Sequence, residues 1–450
     1  MKKSLLGLAA LLSLFVSSSA LADSTASNPD WMKTANIYEV NVRQFSSDSS
    51  LNSVTKAIPR LKALGVQVIW LMPIYPVGKV KSAGPLGSPY AVADYKAVNP
   101  EFGKTNDLKT LIDTVHANGM HIILDWVANH TAWDNSWVSA HPDWYTQVNG
   151  QIISPAGTNW NDVADLNYSN QAMRLEMISA MKYWVTDFNV DGFRCDAAGM
   201  VPQDFWEQAA TELAKVKPLF MLAEDNDNLG LLNKAFNANY NWQLRDTMKS
   251  LASGLYSQAD LQSQQYFQNL NYPANTYSLN FITNHDDNSW TGTVNNQFGQ
   301  LEDSMAVLTY TLPGVPLIYN GQEIGLYRQL KFFEKDPINW KTDAHNGSAK
   351  ALLYKRLNAL KTDNPSLYSG NNVPAQFMDV KNPKVVAFTR TSGSNKVIVL
   401  VNTSDKSQVI KLTGQAGSFY TFGATKATSL GKSVSMTLKA KSFAVWSSQK

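Results

Sequence analysis

The chain is 450 residues long and 44% apolar, with a formal net charge of +3 that falls to +1 once Lys2 and Lys3 leave with an N-terminal leader. That length predicts two or three domains with ample core, and a charge so near zero argues against nucleic acid as a partner. Cys195 is the single cysteine, which excludes an internal disulfide, a zinc–thiolate cluster and a lipid-bearing cysteine at the cleavage site.

Residues 1–22 read as a secretory leader. Lys2 and Lys3 precede an apolar run from Leu5 to Val16, and Ala20-Leu21-Ala22 is a small-residue cleavage signal. The run is too short to span a membrane, and no later segment reaches 18 uninterrupted apolar residues. The expectation is a monomer without a membrane anchor, exported to the periplasm or the exterior after cleavage near Ala22. Short β-rich runs then alternate with helical patterns. Strands are expected at 36–42, 66–72, 121–126, 192–196, 219–223, 237–240, 277–283 and 316–319, and helices at 107–117, 172–188, 203–215, 302–311 and 349–361. Eight such repeats predict an α/β fold, a (β/α)8 TIM barrel. The alternative, an open doubly wound sheet, usually carries a glycine-rich phosphate turn after its first strand, and none is present.

One connection is unusually long. Between the third strand and the helix at 172 lie about 40 residues rich in Trp, Asn, Asp, Gly and Pro, and such a loop in a compact domain is usually functional. After Asp363-Asn364-Pro365, alternating runs at 385–390, 396–401, 434–438 and 442–446 predict a small antiparallel β-sandwich. The expected organisation is therefore a leader at 1–22, a barrel at 23–130 and 168–363, an insertion at 131–167 and a β domain at 364–450.

Catalytic groups in such a barrel come from the C-terminal ends of its strands. The third expected strand runs into Asp125-Trp126-Val127-Ala128-Asn129-His130, and the fourth is Gly192-Phe193-Arg194-Cys195-Asp196. The fifth ends Ala223-Glu224-Asp225, and the seventh runs into Asn284-His285-Asp286-Asp287. Side chains alternate along a strand, so Arg194 and Asp196 share one face and Cys195 points away, as a packing residue does. Taken alone, Arg194 and Asp196 are equally a buried structural ion pair. Four strand ends each bearing an acid at one rim point instead to a pocket of crowded carboxyls. Crowding pushes their pKa values apart, so the acid beside Arg194 is expected to stay charged and another to stay protonated. A charged nucleophile and a protonated acid about 5–5.5 Å apart are the equipment of a retaining glycosidase.

These four ordered motifs, with the long third loop and the β domain, resemble glycoside hydrolase family 13, the α-amylase family, over nearly all of the mature chain. The resemblance implies that Asp196 is the nucleophile, Glu224 the general acid/base and Asp286 the third carboxylate, gripping sugar hydroxyls. It implies that Arg194, His130 and His285 hold the sugar at the scissile bond, that Tyr90 is the platform beneath it, and that Asp125 is structural. The long loop is similar to a short domain B, and Val163-Ala164-Asp165-Leu166-Asn167 is similar to its calcium motif. Asn129 and Asp165, with the Met200 carbonyl, are the implied Ca2+ ligands, although the first two are also placed to hydrogen-bond across the loop base. The implied activity is endo-hydrolysis of α-1,4 bonds in starch, glycogen or maltooligosaccharides through a covalent intermediate. The alternative is a related α-glucan enzyme: a cyclodextrinase or neopullulanase, a debranching enzyme or a glucanotransferase. A binding module on a decayed barrel is the other class, and the intact acid trio argues against it.

Two departures bear on substrate. Gly199 and Met200 stand where many family amylases have Lys and then His, and Ser88 and Ala91 flank Tyr90 where His and Trp are common. Trp70, Trp184 and Trp446 are read as core, while Trp133, Trp137, Trp144 and Trp160 lie in the long loop, where one or two are expected at substrate. Glu323 is a further candidate contact, and His116, His121, His141 and His345 are read as surface or packing residues.

Overall fold

Eight parallel strands close into a barrel in the computed structural model, which describes residues 28–370 and 373–449. The leader expected at 1–22 lies outside the described residues. The strands are β1 (Ile37–Val40), β2 (Val68–Leu71), β3 (His121–Val127), β4 (Gly192–Asp196), β5 (Phe220–Ala223), β6 (Ala238–Tyr240), β7 (Tyr277–Asn280) and β8 (Val315–Tyr319). Each pairs with its sequence neighbours, and β1 closes on β8 through Ile37 opposite Leu317. Alternation then sorts the side chains. Ile37, Val68, Trp70, Ile123, Phe220, Leu222, Leu279 and Leu317 fill the interior. Tyr38, Ile69, Leu124, Phe193 and Cys195 pack outward under the helices.

The helices are α1 (Leu51–Leu64), α2 (Thr105–Ala117), α3 (Gln171–Phe188), α4 (Gln203–Ala214), α5 (Trp242–Ala252), α6 (Gln258–Asn271), α7 (Glu302–Thr311) and α8 (Gly347–Asp363). In α1 the local causes are plain. The Ser50 side chain caps the start by accepting from the Ser53 amide, and Leu51, Val54, Ile58, Leu61 and Leu64 form one buried stripe. Gly65 ends the helix at φ 90°, a left-handed conformation that suits glycine. Strict alternation fails once: the β5–β6 link holds only a 3-10 turn, Leu229–Asn233, and both α5 and α6 follow β6.

The insertion after β3 is tied to the barrel rim by a two-stranded ladder, with His130 opposite Asp165 and Ala132 opposite Val163. A short helix, Ser136–Ala140, and a hairpin of Gln147–Val148 with Gln151–Ile152 complete it. The C-terminal domain has a six-stranded and a two-stranded antiparallel sheet. Its strand Val385–Ser392 is buried on both faces. Val385 and Ala387 join a core with Ile398, Ile410 and Leu412, whereas Val386 and Phe388 join the barrel's outer core. Lys361 and Arg390, both buried, lie at this junction.

Candidate active site

The cleft lies over the C-terminal ends of the strands, with a volume of about 500 Å³. Tyr90, His130, Asp196, Glu224, His285 and Asp286 all line it. Of the residues proposed at the sugar, Arg194 alone is beneath the floor, with no exposure. Its guanidinium organises the acids. Nη1 donates to Asp125 Oδ1 at 2.8 Å and to Asp196 Oδ1 at 3.0 Å, and Nε donates to the Tyr240 hydroxyl at 3.1 Å. Nη2 lies 2.8 Å from Glu224 Oε1, too far out of line to form a hydrogen bond. Glu224 Oε2 accepts from the Ala197 amide at 2.8 Å, and Ala197 holds the left-handed φ of 43° that turns the chain back after β4.

The expectation that Arg194 holds Asp196 charged needs correcting. Burial is the largest influence on Asp196 and, with the Glu224 charge next, pushes its pKa well above the usual carboxylate range; Arg194 offsets this only in part. Asp196 and Asp125, bridged by one guanidinium nitrogen, therefore do not titrate independently. Asp125, also raised by burial, is fully enclosed. It accepts from Trp70 Nε1 at 3.2 Å and from the Tyr90 hydroxyl at 3.1 Å, so it braces the floor rather than facing the cleft.

The two cleft histidines differ in charge. Burial lowers the His130 pKa to about 4, and its Nδ1 sits 3.2 Å from Asn129 Nδ2, so the ring is neutral with its hydrogen on Nε2. At His285 burial also acts downward, but Asp286 and Glu39 outweigh it and raise the pKa to about 9. The Asp286-Asp287 pair is divided by its neighbours. Asp287 is buried on Arg245, with Nε donating to Oδ2 at 3.0 Å, which leaves Asp286 on the cleft wall.

Other candidates fall elsewhere. Glu323 is buried outside the barrel interior, bound to the Tyr38 hydroxyl at 2.5 Å and to Arg60 at 2.9 Å, and does not reach the cleft. Asn129 and Asp165 come together at the rim beside the His130–Asp165 pair, while Met200 stands half-exposed on the separate turn Ala198–Met200. Asp165 is half-buried with a raised pKa, caused by burial and partly offset by a hydrogen bond with Thr146. Among the described residues no group of three or more His, Cys, Asp or Glu is placed to hold a metal ion. Of the loop tryptophans, Trp160 lines the cleft. Trp144 is buried under a stacked His141, and Trp133 is covered by Lys81. His116 pairs with Asp191 at 2.8 Å, His121 stacks on Trp31, and His345 packs on Tyr327.

The sequence reading missed an aromatic wall. Phe332 lies parallel to Tyr90, with centroids 6.1 Å apart, and Trp290, 60% exposed, leans on Phe332 and Phe333. The adjacent Phe332-Phe333 pair after the eighth strand was the available signal. It also missed why position 199 is glycine: the Asp225 carboxyl occupies the space that a side chain there would take.

Comparison with known proteins places the chain among related enzymes. The family description "Alpha amylase, catalytic domain" matches residues 27–366, and "Maltogenic Amylase, C-terminal domain" matches residues 375–445. Alpha-amylase 3 of Dictyoglomus thermophilum is 29% identical over 360 residues, covering 70% of this chain and 69% of the relative. A cyclomaltodextrinase of Thermoanaerobacter pseudethanolicus is 24% identical, covering 80% of this chain and 65% of its own length. The crystal structure of a maltogenic α-amylase, AmyB of Thermotoga neapolitana, superposes with a TM-score of 0.81 at 27% identity, covering 92% of this chain and 99% of that one.

Proposed function

The chain belongs to the α-amylase family of glycoside hydrolases, and on that premise we propose that it is a retaining hydrolase of α-1,4-glucosidic bonds of the maltogenic or cyclodextrin-cleaving kind. Short or cyclic maltooligosaccharides are its preferred substrates, ahead of internal bonds of starch. The observation that carries the chemistry is one buried guanidinium, Arg194, touching both Asp196 and Glu224 beneath a cleft that Asp286 also lines. The maltogenic C-terminal match and the cyclomaltodextrinase relative favour small substrates over the endo-acting reading.

In this reading Glu224 protonates the glycosidic oxygen while the Asp196 carboxylate attacks the anomeric carbon, and the leaving sugar departs with that proton. Glu224 then takes a proton from water, whose oxygen attacks the same carbon and releases Asp196 with net retention. Asp286 grips hydroxyls of the reacting sugar, which stacks on Tyr90; His130 and His285 hold it in place, and Arg194 positions Asp196 and Glu224 from beneath the floor. Product analysis on cyclodextrin, maltooligosaccharides, pullulan and soluble starch, with the anomer followed by NMR, tests this. Faster release of maltose from cyclodextrin than from starch, first as the α-anomer, is the expected result. An initial β-anomer, or no cleavage of any α-glucan, overturns it.

The same reading includes a structural calcium. Asn129, Asp165 and the Met200 carbonyl are an all-oxygen donor set, and the half-buried Asp165 carboxyl has no cation beside it among the described residues, which suits a hard ion. Calcium held there would cross-link the insertion to the barrel and takes no part in bond cleavage. EDTA is expected to lower the melting temperature, and an unchanged melting curve counts against the site. Export is part of the proposal as well, and a mature protein beginning at Asp23 is its expected signature. A cytoplasmic product that still starts at Met1 would refute it.

A further inference from the structure

β1 brings to the barrel interior an acid that the proposed reaction does not use. Glu39 is fully buried, faces inward between Trp70 of β2 and Tyr319 of β8, and places Oε1 2.5 Å from His285 Nδ1. Its Oε2 has no hydrogen-bond partner among the described residues. A carboxylate this deep is costly unless a cation offsets it, and the imidazole is the group in contact.

The other edge of the ring shows what the contact does. His285 Nε2 is 2.8 Å from the Tyr90 hydroxyl, and that hydroxyl spends its one hydrogen on Asp125 Oδ2 at 3.1 Å. With that hydrogen given to the carboxylate of Asp125, the ring donates from Nε2, while Nδ1 shares a proton with Glu39. The Asp286 carboxyl, 3.4 Å from Nε2, favours placing that proton on the ring. The ionisable groups facing the ring are Glu39 from β1, Tyr90 from the loop after β2, Asp125 from β3, Arg194 from β4 and Asp286 beside it. Burial and Arg194 disfavour charge on the ring, and the acids outweigh them.

We propose that Glu39 is a positioning residue that keeps His285 doubly protonated, so that a fixed donor edge stands beside the acceptor Asp286 on the cleft wall. When a sugar hydroxyl takes or shares the Nε2 hydrogen that Tyr90 otherwise accepts, a donor and an acceptor side by side suit the vicinal hydroxyls of a sugar ring, one accepting and one donating. A neutral imidazole with a bare Nε2 would turn the same lone-pair edge toward Tyr90 and Asp286. Because Glu39 and His285 cancel in charge, the pair supplies this polarity without adding net positive charge where an oxocarbenium-like transition state forms.

The test uses the full chain. Its six histidines make NMR titration of labelled imidazoles tractable, with His285 assigned from His285→Gln. In the wild type His285 is expected to keep both ring protons at pH 7. Glu39→Gln retains the size and an acceptor oxygen but not the charge. It is expected to lower the His285 midpoint by about two pH units. On the substrate found active, kcat should fall about 10- to 100-fold with KM nearly unchanged, and more at pH 8 than at pH 6. Glu39→Asp, which keeps the charge, is expected to hold the midpoint closer to wild type. A neutral His285 at pH 7 in the wild type overturns the proposal without any variant, as does an unmoved midpoint in Glu39→Gln or a loss of kcat equal at both pH values. Only the kinetic arm rests on the glucan-hydrolase reading. The titration involves no substrate, so a midpoint shift in a protein that cleaves no α-glucan refutes that reading and leaves this one standing.

Discussion

Arg194 must satisfy acids from three strands at once, and the chemistry of the site follows from how unequally it does so. Asp125 and Asp196 receive hydrogen bonds from Nη1, whereas Glu224 lies beside Nη2 without one and leans instead on the Ala197 amide. Glu224 is thus the acid least committed to the guanidinium, consistent with a role that moves a proton. Glu224→Gln keeps that amide contact, so sugar binding should survive while kcat falls at least 10²- to 10⁴-fold. Turnover near wild type would sink the assignment. The two cleft histidines make a second prediction, about stability. The folded pKa of His285, about 9, lies above the unfolded value near 6.5, so its contribution is complete below pH 6.5 and lost as pH rises through 9. The folded pKa of His130, about 4, lies below it, so its contribution is complete above pH 6.5 and lost as pH falls through 4. Each is worth on the order of 3 kcal/mol. His285→Gln should therefore flatten the alkaline side of the urea-midpoint profile alone. A wild-type profile in that variant contradicts the assignment.

At the scale of elements, β4 is the strand on which the site depends. Gly192 begins it, and a Cβ at that position would overlap the backbone of Phe220, the first residue of β5. Gly192→Ala must push β4 and β5 apart, and these two strands carry Arg194, Asp196 and Glu224. A loss of about 2–4 kcal/mol in unfolding free energy is expected, with activity falling in parallel. Full stability in that variant would show that the barrel absorbs the shift. The turn after β4 explains the unusual Gly199 in the same way, since Asp225 from the β5 end fills that space. Most elements were legible in advance because most strands are short apolar runs and helices such as α1 and α2 have a one-sided stripe, although α7 is buried almost all round. The β5–β6 link was not, because its Leu231 and Leu232 are buried by neighbours rather than by helical periodicity.

In the whole molecule, the barrel and the C-terminal domain share a core, and two buried cations sit at their junction. Lys361 Nζ donates to Gly314 O and Ser369 Oγ, each at 2.9 Å, and to Leu367 O. Arg390 Nη1 donates across the junction to Thr311 O at 2.9 Å. Neither cation has a carboxylate partner among the described residues, and burial lowers both pKa values, that of Arg390 to about 9. Lys361→Ala would strand Leu367 O, while Gly314 O keeps the Ser369 hydroxyl, so a cost of about 1–3 kcal/mol is expected with kcat of the folded fraction unchanged. A drop in kcat without loss of stability would mean that the junction communicates with the cleft. The barrel, the β domain and the rim residues are legible in the chain alone, because strand periodicity and position at a strand end are local properties. Which acids share Arg194, which histidine is charged, that Glu323 faces away and that Glu39 faces in emerge only once the chain is folded. Those outcomes depend on burial and on neighbours tens to hundreds of residues apart, and no local pattern encodes them.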